Sequence, residues 1–196
     1  MTASNLAPFW SSTMRFAVHD WETTGLTLHA KAALHKQPRA IEFAGIITDG
    51  KEIIDTLEFI CNPEQEIEPI ITKITGLTNE DLDTRPTFRA YAPALTDHFA
   101  KADCVISHNL SFDKAIANIE AQHMGLSLAD FNWPGREICS VEQTFPMFGR
   151  RMKLSELYEL KFGPYQQKHR AMDDLMLLHQ CCIAYGIYDA ISRAQA

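Results

Sequence analysis

The sequence predicts an α/β fold: a mixed sheet of three antiparallel strands continued by parallel βα units, with helices on both faces. Three observations predict it. Three strand-like segments come first, between Arg15 and Cys61, and Asp49-Gly50 marks a hairpin between the second and third. From Thr87 onward, helical segments alternate with two short apolar runs, "CVISHN" and "REICSV". No internal repeat, low-complexity tract or linker interrupts the 196 residues, a length that suits one domain with a full core.

Arg15 to Asp20 reads as the first strand, with the apolar lead-in "RFAV". Arg39 to Gly50, rich in β-branched and aromatic residues, reads as the second, and Glu52 to Cys61 as the third. The stretch "NPEQEIEPIITKITGLTNEDLDTRP" is punctuated by Pro and Gly and leaves room for one or two short helical turns. Thr87 to Ala100 is helical and starts just after Pro86. "CVISHN" is a short buried strand, and Ser111 to Met124 a helix with Ser111 as its N-cap. "REICSV" is a further strand that leads into a helix reaching about Phe148. "KLSELYELKFG" is a short amphipathic helix closed by Gly163. Met172 to about Tyr185 and Ile187 to Arg193 are the last two helices. Residues 1–14 have neither the basic start nor the continuous apolar run of a signal peptide. They read as an N-terminal arm before a single domain at 15–196, with Met14 an alternative start.

Composition narrows the function classes. An apolar fraction of 46% and a charged fraction of 22% are those of a soluble globular protein. No apolar run approaches ~18 residues, so no membrane span is expected. Five cysteines, an odd number without a C-x-x-C spacing, read as reduced thiols of a cytoplasmic protein. A net charge of −7 disfavours a long duplex footprint, which phosphate neutralisation would drive. A pocket that holds cations could still grip a nucleic-acid end, because a bound metal reverses the local sign.

Three clusters could carry chemistry. In "HDWETTGL", Asp20 and Glu22 stand two apart on a strand and so share one face. Carboxylates this close repel unless a cation lies between them, and a hard divalent ion such as Mg²⁺ or Mn²⁺ takes such oxygen ligands. A solvated strand end is the plain alternative. In "VISHNLSFD", His108 and Asn109 occupy a strand exit and Asp113 the first turn of the next helix, where the helix dipole alone would favour an acid. If that strand lies parallel beside the first, Asp113 approaches Asp20. In "KHRAMDDLMLL", His169 stands at a helix entrance and Asp174 in its second turn; Asp174 flanks the buried stripe while Asp173 leans to solvent. A buried-side acid needs a partner, and a metal would be one. Taken alone, His169 reads as a surface or capping histidine. Zinc spacing, a G-x-S-x-G elbow and phosphate-binding glycine patterns are all missing. The connection Thr27 to Ala40 is long and holds His29, Lys31, His35, Lys36 and Arg39 without an acid. It is either a solvated excursion or a basic flap beside the acids.

In order, "DWETTGL", "HNLSFD" and "HRAMDD" resemble the DEDDh (DnaQ-like) 3′→5′ exonucleases, the family of the proofreading epsilon subunit of bacterial DNA polymerase III. The resemblance runs from Phe16 to about Tyr185, and "NPEQEIEPIITKITGLTNEDL" and "KLSELYEL" sit where that family has similar stretches. It implies a ribonuclease H-like fold. It implies that Asp20, Glu22, Asp113 and Asp174 hold two divalent cations, Mg²⁺ or Mn²⁺, with His169 as the general base. Thr23, Gly25 and Leu26 would meet the terminal nucleotide, and His108, Asn109 and Phe112 would line the same pocket. The implied activity is hydrolysis of DNA from a single-stranded or frayed 3′ end, in replication or repair, releasing nucleoside monophosphates. Trimming of short RNA is the alternative within the same chemistry. A catalytically silent nucleic-acid-binding module is a third reading, whose signature, loss of an acid, is missing. Three departures stand out. Trp21 replaces a smaller residue; strand alternation turns it to the face opposite Asp20 and Glu22, as packing beneath the site. The Thr27–Ala40 loop is longer than usual. The chain stops soon after the last motif, without an evident polymerase-binding tail, which weighs against a stable polymerase partner.

Overall fold

The computed structural model describes residues 14–29, 31–165 and 168–194. Five strands form one sheet in the order β3-β2-β1-β4-β5: β1 Phe16–Thr23, β2 Ala40–Thr48, β3 Ile53–Ile60, β4 Cys104–Ser107 and β5 Arg136–Cys139. β1 pairs antiparallel with β2, and β2 with β3; β4 runs parallel to β1, and β5 parallel to β4. The sheet is therefore mixed in the way the strand and turn pattern predicts.

Alternation along β1 and β2 separates two cores. Phe16 and Val18 of β1, with Ala44 and Ile46 of β2, face α7 (Ala171–Ala184) and α8 (Ile187–Arg193) through Leu175, Leu178 and Ile187. Ala17 and Trp21, with Phe43 and Ile47, face α3 (Phe88–Phe99) and α4 (Leu110–His123). Each fully buried Phe, Ile or Leu in these layers contributes roughly 1.5–3 kcal/mol. Gly45 shows how tightly α3 presses on the sheet: a β-carbon there would lie 2.7 Å from His98 Nε2 and 2.8 Å from the Phe43 ring. Met14 is already buried in the α7 layer; residues 1–13, the bulk of the expected arm, lie outside the described residues.

The punctuated stretch holds two short helices, α1 (Pro69–Thr75) and α2 (Asn79–Asp83). α1 starts with Pro69 in its first turn and ends on Gly76 at φ 76°; α2 opens with a capping box between Thr78 and Asp81. α5 (Ser140–Phe148) follows β5 directly, and α6 (Leu154–Phe162) packs on α7. β1 runs three residues past its expected end at Asp20, Ser140 and Val141 of the expected strand "REICSV" belong to α5, and the start of α4 also differs from expectation. α4 starts at Leu110 with Asn109 as N-cap in the left-handed region (φ 71°, ψ 51°), so Ser111 is inside the helix. Asn tolerates that conformation better than other residues with a β-carbon. Among the described residues no helix is long and apolar enough to cross a membrane. All five cysteine thiols are free, and burial pushes those of Cys104 and Cys181 up to about 12.

Candidate active site

The C-terminal end of β1 sits between β2 and β4, and both neighbours bring side chains to it. Asp20 and Glu22 leave β1 on the α7 face, just before the pairing with β2 slips between Glu22 and Thr23. β4 ends at Ser107, and the left-handed turn at Asn109 starts α4 so that Asp113 falls in its first turn, 3% exposed. α7 starts at Ala171, which puts Asp174 in the first turn and not the second. The expected split between neighbours holds: Asp174 is 6% exposed, while Asp173 is 39% exposed and lies 3.5 Å from Lys168 Nζ.

These side chains form one electrostatic cluster. Burial, and then the charges of Asp113, Glu22, Asp174 and Glu42, push the Asp20 carboxyl well above the usual carboxylate range. Burial, then Asp174, Glu42 and Asp113, push Glu22 up to about 8, against a pull back by Arg170. Burial pushes Asp113 up to about 8. Ligand atoms of Glu22, His169 and Asp174 lie within 4.8 Å of one another, and His169 Nδ1 is 4.0 Å from Asp174 Oδ2. Asp113 Oδ2 is buried without a hydrogen-bond partner among the described residues. An excess of oxygen donors, an orphaned carboxylate oxygen and raised pKa values from mutual repulsion are what hard divalent cations would relieve, so the residues fit such ions.

A cavity of about 390 Å³ opens beside the cluster, with Asp20, Asp174, His108, Asn109, Arg151 and Lys153 in its wall. His108 Nδ1 is 2.8 Å from Ser140 Oγ, and burial lowers the imidazole to about 4, so it is a fixed neutral group at pH 7. Thr23 is buried and donates to the Gly25 carbonyl at 2.7 Å, closing the turn after β1. Apart from its chain neighbours, no atom of the described residues lies within 4 Å of where a Gly25 β-carbon would stand, and Leu26 is 82% exposed, so this turn is open to a ligand. Phe112 is not in the wall of this cavity; it packs, partly buried, on the α4-side core.

Trp21 is turned away from the acids, as alternation predicts: its ring lies 4.5 Å from Phe43 and 5.9 Å from Phe88. The basic-flap alternative for Thr27–Ala40 is corrected at Arg39. That guanidinium is buried and forks onto Glu120 of α4, Nε to Oε1 at 2.9 Å and Nη2 to Oε2 at 3.0 Å. Gln37 ties the loop further, accepting from Leu28 N at 3.0 Å and donating to the His29 carbonyl at 3.2 Å. The fork withdraws Arg39 from any substrate. Sequence reasoning missed Glu42 and Arg170, which meet beside Glu22, and the cavity cations Arg151 and Lys153. Glu42 is opposite Glu22 only through the β1–β2 register, which a long loop hides; the basic run "GRRMK" was the legible signal for the other two.

Acids from three separate elements gather at the C-terminal end of the central strand β1, beside a histidine and a cavity, where α/β sheets commonly bind their ligands. Residues 17–180 match the family described as exonuclease (RNase_T), and the chain belongs to that family. It is 29% identical over 164 residues to the DNA polymerase III subunit epsilon of Treponema pallidum, across 81% of this chain and 70% of the relative. It is 28% identical over 160 residues to the DNA polymerase III PolC-type of Caldanaerobacter subterraneus subsp. tengcongensis. That match covers 81% of this chain but only 11% of the relative's length. The fold superposes on the nuclease domain of 3′hExo, a DEDDh family member bound to rAMP. The TM-score is 0.70, with 18% identity, over 89% of this chain and 92% of that one.

Proposed function

We propose that this chain is a metal-dependent 3′→5′ exonuclease that removes nucleoside monophosphates from single-stranded or frayed DNA 3′ ends. One observation carries the reading: Asp20, Glu22, Asp113 and Asp174 converge on one cluster beside a cavity, with His169 4.0 Å from Asp174. The four carboxylates would hold two divalent cations, which, when bound, supply Lewis acidity for water activation and for the charge on the departing 3′-oxygen. His169, 45% exposed and next to the acids, takes the proton from the attacking water and passes it to solvent. His108 and Asn109 orient the terminal nucleotide from the cavity wall, and the Gly25 turn admits its backbone. Arg151 and Lys153 supply positive charge for the phosphates at the cavity rim, a local grip that a chain of net charge −7 needs.

The DNA reading is supported by the relatives, both named as DNA polymerase III components, and suits replication or repair in the cytoplasm. The test is a degradation ladder with 5′-labelled single-stranded DNA, duplex DNA and RNA of matched sequence in Mg²⁺. Single-nucleotide steps from the 3′ end of single-stranded DNA, stopped by chelator and restored by Mg²⁺ or Mn²⁺, are expected. Chelator-resistant or internal cleavage refutes the reading, and a ladder on RNA alone would move the substrate to RNA.

A further inference from the structure

Glu42 is an acid the cation cluster does not require. It lies on β2 directly opposite Glu22, its side chain 8% exposed, and its charge helps to push Glu22 upward. Like charges facing each other across paired strands are destabilising, so Glu42 has to have a counterpart. Arg170 is that counterpart: Nε donates to Oε1 and Oε2 at 3.1 and 2.9 Å, and Nη2 to Oε1 at 2.8 Å. Such a planar fork fixes direction as well as distance.

The consequence lies one residue earlier. His169 has φ 50°, a left-handed conformation that residues with a β-carbon rarely adopt. Something has to hold it there. Arg170 is extended (φ −121°, ψ 131°) and is the N-cap of α7, and its carbonyl accepts from Asp174 N at 3.0 Å. Its side chain is forked onto β2 while its backbone is tied to the turn that carries Asp174. The peptide between His169 and Arg170 is thus fixed to both the sheet and the helix. We propose that Arg170, gripped by Glu42, is a positioning residue that holds the His169 imidazole at the Asp174 and Glu22 edge. The inference rests on the reading of His169 as general base.

The test is a mutant cycle on single-stranded DNA in Mg²⁺, with kcat, KM and melting temperature measured for each variant. Arg170→Ala should lower kcat by about 10- to 100-fold, the scale of a misplaced catalytic group, and change KM by less than about threefold. In a His169→Ala background the same change should cost less than about twofold, because its effect runs through the imidazole. Arg170→Lys should recover kcat only in part, since an ammonium cannot fork. Arg170→Ala leaves Glu42 unpaired and can cost stability, so Arg170→Ala with Glu42→Ala is the second variant: it should regain melting temperature but not kcat. A purely structural role predicts that kcat returns with stability, and that result overturns the proposal. So do equal losses in the parent and His169→Ala backgrounds, or a parental kcat in Arg170→Ala while His169→Ala is inactive. A parental rate in His169→Ala overturns the base assignment and the positioning role with it.

Discussion

Removing divalent cations should make stability fall as pH rises from about 6.5 to 8. Glu22 is the group to follow, with a folded-state pKa of about 8. In the unfolded chain a glutamate titrates near ~4.3, so between these values the unfolded chain has released a proton that the folded site retains. Stability is then fully present below the unfolded value and is lost as pH climbs to about 8, at up to ~1.4 kcal/mol per pH unit for one proton. Buried histidines act in the opposite sense at lower pH. His19, His98 and His108 are lowered by burial to about 3, 4 and 4, so they add stability as pH rises, up to the ordinary histidine value near ~6.5, and then stop. Above that point the acids act alone. Glu22 by itself removes about 2 kcal/mol between pH 6.5 and 8, or about 4–8 °C of melting temperature for a chain of this size. Asp113 and Asp20 share the same repulsion, so their losses do not simply add. The assay is thermal melting in chelator and in saturating Mg²⁺ across this range. The fall should appear in chelator, vanish in Mg²⁺, and shrink in Glu22→Gln. A chelator-treated protein whose melting temperature is flat or rising from pH 6.5 to 8 refutes the reasoning.

Asp20→Ala and Asp174→Ala should abolish cleavage while the fold survives, with melting temperature in chelator unchanged or raised because each removes a repelling charge; near-parental turnover would misplace the site. His169→Gln should cut kcat by about 10²-fold or more while Mg²⁺ still raises the melting temperature; an unchanged rate removes it as base. Arg39→Ala should cost about 3–5 kcal/mol in urea unfolding, because it leaves Glu120, 1% exposed, as an unpaired buried charge; a loss under 1 kcal/mol would show the fork to be ornamental to stability.

The site's acids were legible because their motifs follow strands and helices whose period is plain. An apolar run ending in Asp20-x-Glu22 and a buried strand ending before Asp113 need only parallel adjacency to converge, and β1 and β4 supply it. What stayed hidden depends on register and on non-local charge pairing. Glu42 faces Glu22 only because β1 and β2 pair in one register across an irregular loop, with no tight hairpin to set it. Arg39 looked like a surface cation because its partner Glu120 is 81 residues away in sequence. The start of α4 is not legible from cap propensity, because Asn and Ser are about equally good N-caps; the positive φ of the turn is what selects Asn109.

Trp21 gives the protein an internal optical gauge. Its indole is 4% exposed, set among Phe43, Phe59 and Phe88, with a buried Nε1 that has no hydrogen-bond partner among the described residues. It is bonded through the backbone to Asp20 on one side and Glu22 on the other. Any shift of that strand end on loading with cations or on contact with a substrate end is transmitted to a chromophore that neither can touch, so ligand occupancy can be followed by the fluorescence of Trp21 in a chain whose Trp10 and Trp133 are replaced by Phe.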